Sequence, residues 1–293
     1  MSDLDFTKPK GPPKEPPKPA PAAKPAPIYD SAMAMAFFGS TGKPEAIPQG
    51  TTLFAENDKS SRLLLQSDKM YLLVDGEISL TGKGKVIGTV RKGEIFGEMA
   101  SIADMPRSAT ATAKTPCRVI GLDSGQFQAA LKTKPEFALM LMSVMIGRIR
   151  DGLGRKAPAT AGGKVKESAV FDKSSLAVLV RALSQTMVRY VSGKTIVTEG
   201  QPGVLMYVVV DGKVAVSIQG KLVEKIGPGG VFGEMALIDR APRLATVVSE
   251  TDCGLLAIGR NTLIDLIKAS PDFAVSLLSA VGERARFVAA GHK

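Results

Sequence analysis

Two hydrophobic periods alternate along the chain, and each predicts a different kind of element. Short apolar or alternating runs at residues 71–74, 78–80, 85–87, 118–120, 207–210, 214–218 and 254–256 read as β-strands. Asp75-Gly76 and Asp211-Gly212 read as hairpin turns, because glycine accepts the positive φ that tight hairpins demand. Gly84-Lys85 and Gly220-Lys221 mark a second hairpin in each half. Many short strands at this spacing predict a β-barrel or jelly roll. A helical period appears at Leu176, Leu179, Val180, Leu183 and Met187, so a helix is expected before the second β block. Pro135 and Pro271 each open a further helix, where a missing proline N–H is tolerated. The apolar stripe of the first of these runs through Leu141, Met142, Met145 and Ile149, and the second matches it with Leu277, Leu278 and Val281. The expected class is mainly β with flanking helices.

The whole pattern occurs twice. Phe96-Gly97-Glu98-Met99-Ala100 recurs as Phe232-Gly233-Glu234-Met235-Ala236, at an offset of 136 residues. Met70-Tyr71, Asp75-Gly76, Pro106-Arg107, Cys117, Pro135 and Phe137 have their counterparts at the same offset. Upstream, Gly50 aligns with Gly193 at an offset of 143, so the first copy carries about seven extra residues. They fall in the 58–68 region, as a surface-loop insertion would. A period this long means a duplicated domain of ordinary size, not a solenoid. The predicted division is a tail at 1–28, a domain at 29–153, a linker at 154–168 and a second domain at 169–293. The tail is rich in Pro, Lys and Ala and cannot bury enough apolar surface to offset chain entropy. It is expected to be a disordered spacer of polyproline II character.

Composition narrows the function classes. At 293 residues and 44% hydrophobic, the chain can bury two cores, built mainly from Leu, Val, Ile and Met because Trp is absent. The formal charge of +10 invites a nucleic-acid or anionic-membrane reading. Five of the lysines (Lys8, Lys10, Lys14, Lys18 and Lys24) sit in the tail, and the remaining basic residues are scattered as on a solvated surface. Two cysteines, Cys117 and Cys253, one in each copy, read as small core residues in a reducing compartment. The N-terminus carries no apolar signal core, and the longest apolar stretch, near 137–147, is too short to span a bilayer. A cytoplasmic protein without a membrane contact is expected. The single histidine, His292, leaves no ordinary His-based catalytic or metal site. Neither an enzyme nor a metal or organic cofactor is expected.

The chemistry-bearing segment is Gly93-Glu94-Ile95-Phe96-Gly97-Glu98-Met99-Ala100 with Pro106-Arg107-Ser108-Ala109. Its repeat is Gly229-Gly230-Val231-Phe232-Gly233-Glu234-Met235-Ala236 with Pro242-Arg243-Leu244-Ala245. In both, Glu and Arg stand nine residues apart. A glycine lets backbone approach a ligand closely. Residues 98–102 can form one short helix whose free amides suit a phosphate. The arginine adds a charge-assisted, forked contact to the same phosphate. The carboxylate can accept hydrogen bonds from a sugar hydroxyl, and a nearby arginine would hold it ionised. Together these groups fit a sugar phosphate.

This pattern resembles the phosphate-binding cassette of the cyclic-nucleotide-binding domain superfamily, which includes the catabolite activator protein, protein kinase A regulatory subunits and cyclic-nucleotide-gated channels. The resemblance covers roughly 35–153 and 169–290, and the hairpin, cassette and trailing helix occur in order in both copies. It implies two tandem helix-flanked β-roll (jelly-roll) domains. It also implies that Glu98 and Glu234 bind the ribose 2′-hydroxyl and that Arg107 and Arg243 bind the cyclic phosphate. Phe96, Gly97, Met99, Ala100, Ser108 and Ala109, with Phe232, Gly233, Met235, Ala236, Leu244 and Ala245, complete the two cradles. The cGMP-selective members often place Thr after the arginine. Ser108 and Leu244 stand there here, so cAMP is the expected ligand, with cGMP the alternative. Ser101 replaces the usual cassette leucine, which Leu237 retains, and Asn57 replaces the glycine found at Gly200. Candidates to lid the base are Met145 and Arg148, or Val281 and Arg284.

The expected function is a two-site cyclic nucleotide receptor that signals to an unknown effector protein through helix rearrangement. An interaction scaffold that has lost ligand binding is the alternative. A transcription regulator would need a helix-turn-helix after the long helix, and none is legible, so no nucleic-acid partner is expected. A kinase-regulatory role lacks an Arg-Arg-x-Ser-like inhibitory stretch in the tail.

Overall fold

The computed structural model describes residues 29–58, 69–103, 106–155 and 167–290. The predicted tail and nearly all of the inserted loop and the linker fall outside these residues. The first repeat runs α1 (Ser31–Phe38), β1 (Pro44–Ile47), β2 (Thr52–Phe54), β3 (Met70–Asp75), β4 (Ile78–Gly82), β5 (Lys85–Val90) and β6 (Ile95–Phe96). It continues with α2 (Glu98–Ala103), β7 (Thr110–Ala113), β8 (Cys117–Leu122), α3 (Ser124–Thr133) and α4 (Glu136–Arg155). The second opens with β9 (Glu167–Ser168), α5 (Lys173–Leu183), β10 (Met187–Tyr190), β11 (Thr195–Val197), β12 (Leu205–Asp211), β13 (Val214–Ile218) and β14 (Lys221–Ile226). It closes with β15 (Val231–Phe232), α6 (Glu234–Asp239), β16 (Thr246–Ser249), β17 (Cys253–Gly259), α7 (Arg260–Ala269) and α8 (Pro271–Ala290).

Each repeat folds into two small sheets. Strand orders are β1-β8-β3-β6 and β2-β7-β4-β5 in the first, β10-β17-β12-β15 and β11-β16-β13-β14-β9 in the second. All pairs are antiparallel except β9 on β14. The register repeats as well: Met70 faces Leu122 and Met206 faces Ile258. Alternate strand residues from both sheets meet inside each roll, so a period of two suffices to fill it. Leu73, Ile78, Phe96, Ala111 and Val119 fill the first interior. Val209, Val214, Phe232, Val247 and Leu255 fill the second. Cys117 and Cys253 are buried one in each interior, as small core residues. Burial, then Asp211 and Asp252, push the Cys253 thiol up, which keeps it protonated and unreactive.

The third and largest cluster packs the helices on the outer faces of strands such as β3, β8, β12 and β17 and spans both repeats. α4 packs along α8, and each trailing helix also crosses the short helix of the other repeat, α4 on α6 and α8 on α2. The apolar stripe read from the sequence explains this. Leu141, Met142, Met145, Ile149, Leu277, Leu278 and Val281 are all buried in the shared cluster. Phe137 stacks on Phe37 with centroids 3.6 Å apart, and its counterpart Phe273 stacks on Phe171 at 5.1 Å.

Three local readings need correction. Met187 belongs to β10, not to the preceding helix, because α5 ends at Leu183 and a 3₁₀ turn over Ser184–Thr186 redirects the chain. Its spacing from Leu183 mimics a helical step by accident. The second hairpin turns at Lys83-Gly84 and Gln219-Gly220, one residue earlier than Gly84-Lys85 and Gly220-Lys221. All four turning residues have positive φ, as a two-residue primed turn requires.

Asp75-Gly76 and Asp211-Gly212 are turns but not hairpins: each passes the chain from one sheet of its roll to the other, since β3 and β4, like β12 and β13, lie in different sheets. Gly212 stands at φ +78°. A β-carbon there would lie 2.1 Å from the Asp252 carbonyl oxygen. Gly212→Ala therefore combines left-handed strain with a backbone clash. It is expected to cost about 2 kcal/mol or more, read as a lower denaturation midpoint with an unchanged m-value. A midpoint within error of wild type would contradict this account of the turn. No described helix is long and apolar enough to cross a membrane.

Candidate functional site

The cassette takes the same shape twice. A two-residue strand (β6 or β15) ends in a buried phenylalanine: Phe96 stacks on Tyr71 at 5.3 Å and Phe232 on Tyr207 at 5.1 Å. The next residue is a glycine in the left-handed region, Gly97 at φ +75° and Gly233 at φ +78°. Any side chain here would meet the arginine, since a β-carbon on Gly233 would lie 2.6 Å from an Arg243 nitrogen. The chain then enters the expected short helix, with Glu98 or Glu234 at its first position.

Both carboxylates and both guanidinium groups are buried: Glu98 is 7% exposed, Arg107 5%, Glu234 2% and Arg243 8%. Charged groups are rarely buried without partners. The arginines find theirs in backbone. Arg107 Nη1 donates to the Gly97 carbonyl at 2.7 Å and Nη2 to that of Lys69 at 2.9 Å. Arg243 repeats this at Gly233 and Leu205, both at 2.7 Å. Each arginine thus staples the cassette to the start of the long central strand. Burial pulls the Arg243 guanidinium below its usual range, with Tyr207 and Glu234 opposing. The first arginine also lies over the Phe54 ring, 4.2 Å from its centroid. Among the described residues no ring covers Arg243 in this way, and the position matching Phe54 is Val197.

The remaining predicted residues sort by burial. Ala100, Ala109 and Ala236 are buried, and Ser108 is exposed. Met235 and Leu244 pack partly buried against the shared helical cluster, and Ala245 against the second roll's core. Met99 lies in α2, and its side chain is outside the description. Of the lid candidates, Met145 and Val281 are core residues of the shared cluster, 1% and 0% exposed. The Arg148 side chain is outside the described atoms.

Arg284 is where the sequence reading fell short. Glu234 pairs not with Arg243 but with this residue of α8, fifty positions away: Arg284 Nη1 donates to Glu234 Oε1 at 2.6 Å. Arg284 Nη2 donates to the Val231 carbonyl at 2.8 Å, and Nε stands 3.4 Å from Glu224 of β14. Burial works against its charge, yet Glu234 and Glu224 outweigh burial and push the guanidinium up. The trailing helix is thereby fastened to the cassette carboxylate. Nothing local in the sequence signals such a pair.

A cavity of about 220 Å³ opens beside Arg243, lined among others by Val197, Thr198, Gln201, Gly203 and Tyr207. It has one cationic wall and several apolar ones. The described residues hold no cluster of three or more His, Cys, Asp or Glu suited to a metal ion.

Comparison with known proteins finds one match in each repeat. The family described as "Cyclic nucleotide-binding domain" matches residues 44–134 and 187–270, together more than half of the chain. A cAMP-dependent protein kinase regulatory subunit from Yarrowia lipolytica is 26% identical over 209 residues, 70% of this chain and 51% of the relative. The chain thus spans about half the length of that relative. Among solved structures, the regulatory domain of Toxoplasma gondii PKA with cAMP aligns with TM-score 0.31 and 21% identity, covering 85% of this chain and 94% of that one. The Thermus thermophilus catabolite activator protein aligns with TM-score 0.37 and 32% identity, covering 42% of this chain and 61% of that one.

Proposed function

Because the chain belongs to the cyclic nucleotide-binding domain family, we propose that it is a cyclic nucleotide receptor with two sites, one in each roll. The observation that carries this reading is the duplicated buried Glu and Arg around a left-handed glycine. Glu98 and Glu234 take the ribose hydroxyl, and Arg107 and Arg243 take the cyclic phosphate. Backbone amides around Gly97, Met99, Ala100 and Ala109, and around Gly233, Met235, Ala236 and Ala245, complete each cradle. The exposed Ser108 and the apolar Leu244 at the following position favour cAMP over cGMP. Domain bounds of 29–153 and 169–293, joined by a linker at 154–168, fit this division.

Signalling follows from what the ligand must displace. The cavity at Arg243, about 220 Å³, is smaller than the roughly 300 Å³ at which small-molecule sites usually begin. On this reading the phosphate draws Arg243 from the Gly233 and Leu205 carbonyls, and Glu234 exchanges Arg284 for the sugar. Loss of the Arg284 contact frees α8. Binding thus shifts the population between two helix arrangements, which an effector protein reads. The relative's name makes a protein kinase one class of effector. No catalytic step is assigned to the chain itself.

The test is calorimetric titration of nucleotide-free full-length protein with cAMP and then cGMP, alongside thermal melts. Two saturable events with cAMP are expected. Ligand at a hundred times Kd should stabilise the fold by about 2.7 kcal/mol. The rival reading, a scaffold that no longer binds ligand, draws on the internal bonds that occupy Arg243 and Glu234. No heat and no thermal shift with either nucleotide would establish it and end the receptor reading.

A further inference from the structure

The second cassette is held from outside its own repeat. Arg150 projects from α4, the trailing helix of the first repeat. Its Nε donates to Asp239 Oδ2 at 2.5 Å and its Nη2 to Asp239 Oδ1 at 3.2 Å. The same Nη2 donates to the Pro242 carbonyl at 3.0 Å. Asp239 is the last residue of α6, and its Oδ1 also accepts the Ala241 N–H at 3.0 Å. One guanidinium therefore clamps both ends of the turn at 239–242. That turn leads directly into Arg243, the residue given the cyclic phosphate. The pair is largely shielded from water, with side chains 23% and 13% exposed, where a forked charge-assisted contact retains most of its strength.

At the repeat offset of 136 the positions matching Arg150 and Asp239 are Arg286 and Ala103. A described reverse contact, from α8 to the first cassette, runs from Ser279 Oγ to the Ile102 carbonyl at 2.9 Å.

We propose that Arg150 is a positioning residue for the second nucleotide site, supplied by the first repeat, and that it couples the affinity of that site to the placement of α4. The proposal rests on the receptor reading given above. If α4 moves when the first site fills, the turn at 239–242 moves with it and Arg243 is re-aimed. By linkage, filling the second site must change the first by the same factor. Loss of the clamp should weaken the second site about five- to tenfold, the lower range of typical couplings between sites.

The experiment titrates full-length protein with cAMP in two parent backgrounds. Arg107→Ala reports the second site alone, and Arg243→Ala the first alone. Adding Arg150→Ala should lower cAMP affinity about five- to tenfold in the Arg107→Ala parent and change it distinctly less in the Arg243→Ala parent, where Arg150 acts only through α4. The exchange Arg150→Asp with Asp239→Arg should regain part of the loss, which a merely structural defect would not allow. Arg150→Lys and Asp239→Asn serve if the alanine variant melts early, and each should show a smaller loss, greater at the second site than at the first. Unchanged affinity in the Arg107→Ala parent, equal losses in both parents, or no recovery in the exchanged pair would each overturn the proposal. If wild-type protein binds no cyclic nucleotide, the receptor reading falls, and the proposal falls with it.

Discussion

Arg243→Ala is expected to weaken cAMP binding at the second site by at least tenfold while leaving the first in place, and Arg107→Ala to do the reverse. Losing one partner of a buried charged contact costs about 2–5 kcal/mol, so losses well beyond tenfold fall within the expectation. Each arginine is buried, and on the proposed reading it supplies fixed positive charge to the phosphate. The substitutions also free backbone carbonyls, those of Gly233 and Leu205 for Arg243 and of Gly97 and Lys69 for Arg107. An unsatisfied buried acceptor costs about 1–3 kcal/mol, so a melt must accompany each titration. Arg→Lys separates the two effects. It keeps the charge but not the planar fork, so binding should fall less than in the alanine variant if charge dominates. Two events surviving in Arg243→Ala protein would remove this residue from the site.

The duplicated cassette, the strands and the hairpins β4–β5 and β13–β14 were legible because their signals are local, whereas Asp75-Gly76 and Asp211-Gly212 gave a turn and not the pairing of the strands beside it. Alternation over four to six residues, a glycine at each turn and a motif recurring at one offset need no knowledge of tertiary structure. The spacing of Glu98 from Arg107 and of Glu234 from Arg243 was legible, but that all four side chains are buried was not. Long-range contacts were not legible. The stripe on α4 and α8 announced that each helix buries a face, yet not that the two faces bury each other. Phe54 over Arg107 and Arg284 on Glu234 join residues about fifty positions apart, and Arg150 on Asp239 spans eighty-nine. No periodicity reports such distances. Met187 shows the opposite failure, a local signal that tertiary structure overrode.

Both repeats present the same glycine, carboxylate and arginine, and a described difference lies beside the arginine: Phe54 covers Arg107, and Val197 stands at the matching position of the second repeat. The contacts that tie each cassette to the other repeat's trailing helix accompany the packing of α4 on α8, so on the receptor reading they lie on the route by which occupancy would reach a partner.

Arg284→Ala should be the most damaging single change among the charged residues, lowering the stability of ligand-free protein by about 3 kcal/mol or more. Removing one member of a buried ion pair typically costs about 3–5 kcal/mol, because the survivor is left charged and dry. Here the survivor is Glu234, 2% exposed, with Glu224 beside it. The carboxylate would have to take up a proton or admit water, and either loosens the hold of α8 on β15. Arg284→Met with Glu234→Gln should cost distinctly less than Arg284→Ala, since no charge is then stranded. Denaturant unfolding of the variants checks the order. Hydrogen exchange carries the argument to function: if the sugar displaces Arg284 from Glu234, cAMP should speed exchange in the last turns of α8 in wild-type protein. In Arg284→Ala protein those turns should exchange fast already and respond little. Wild-type turns that cAMP slows instead would mean that Arg284 holds α8 in place in the liganded state, and that the contact is structural rather than a latch.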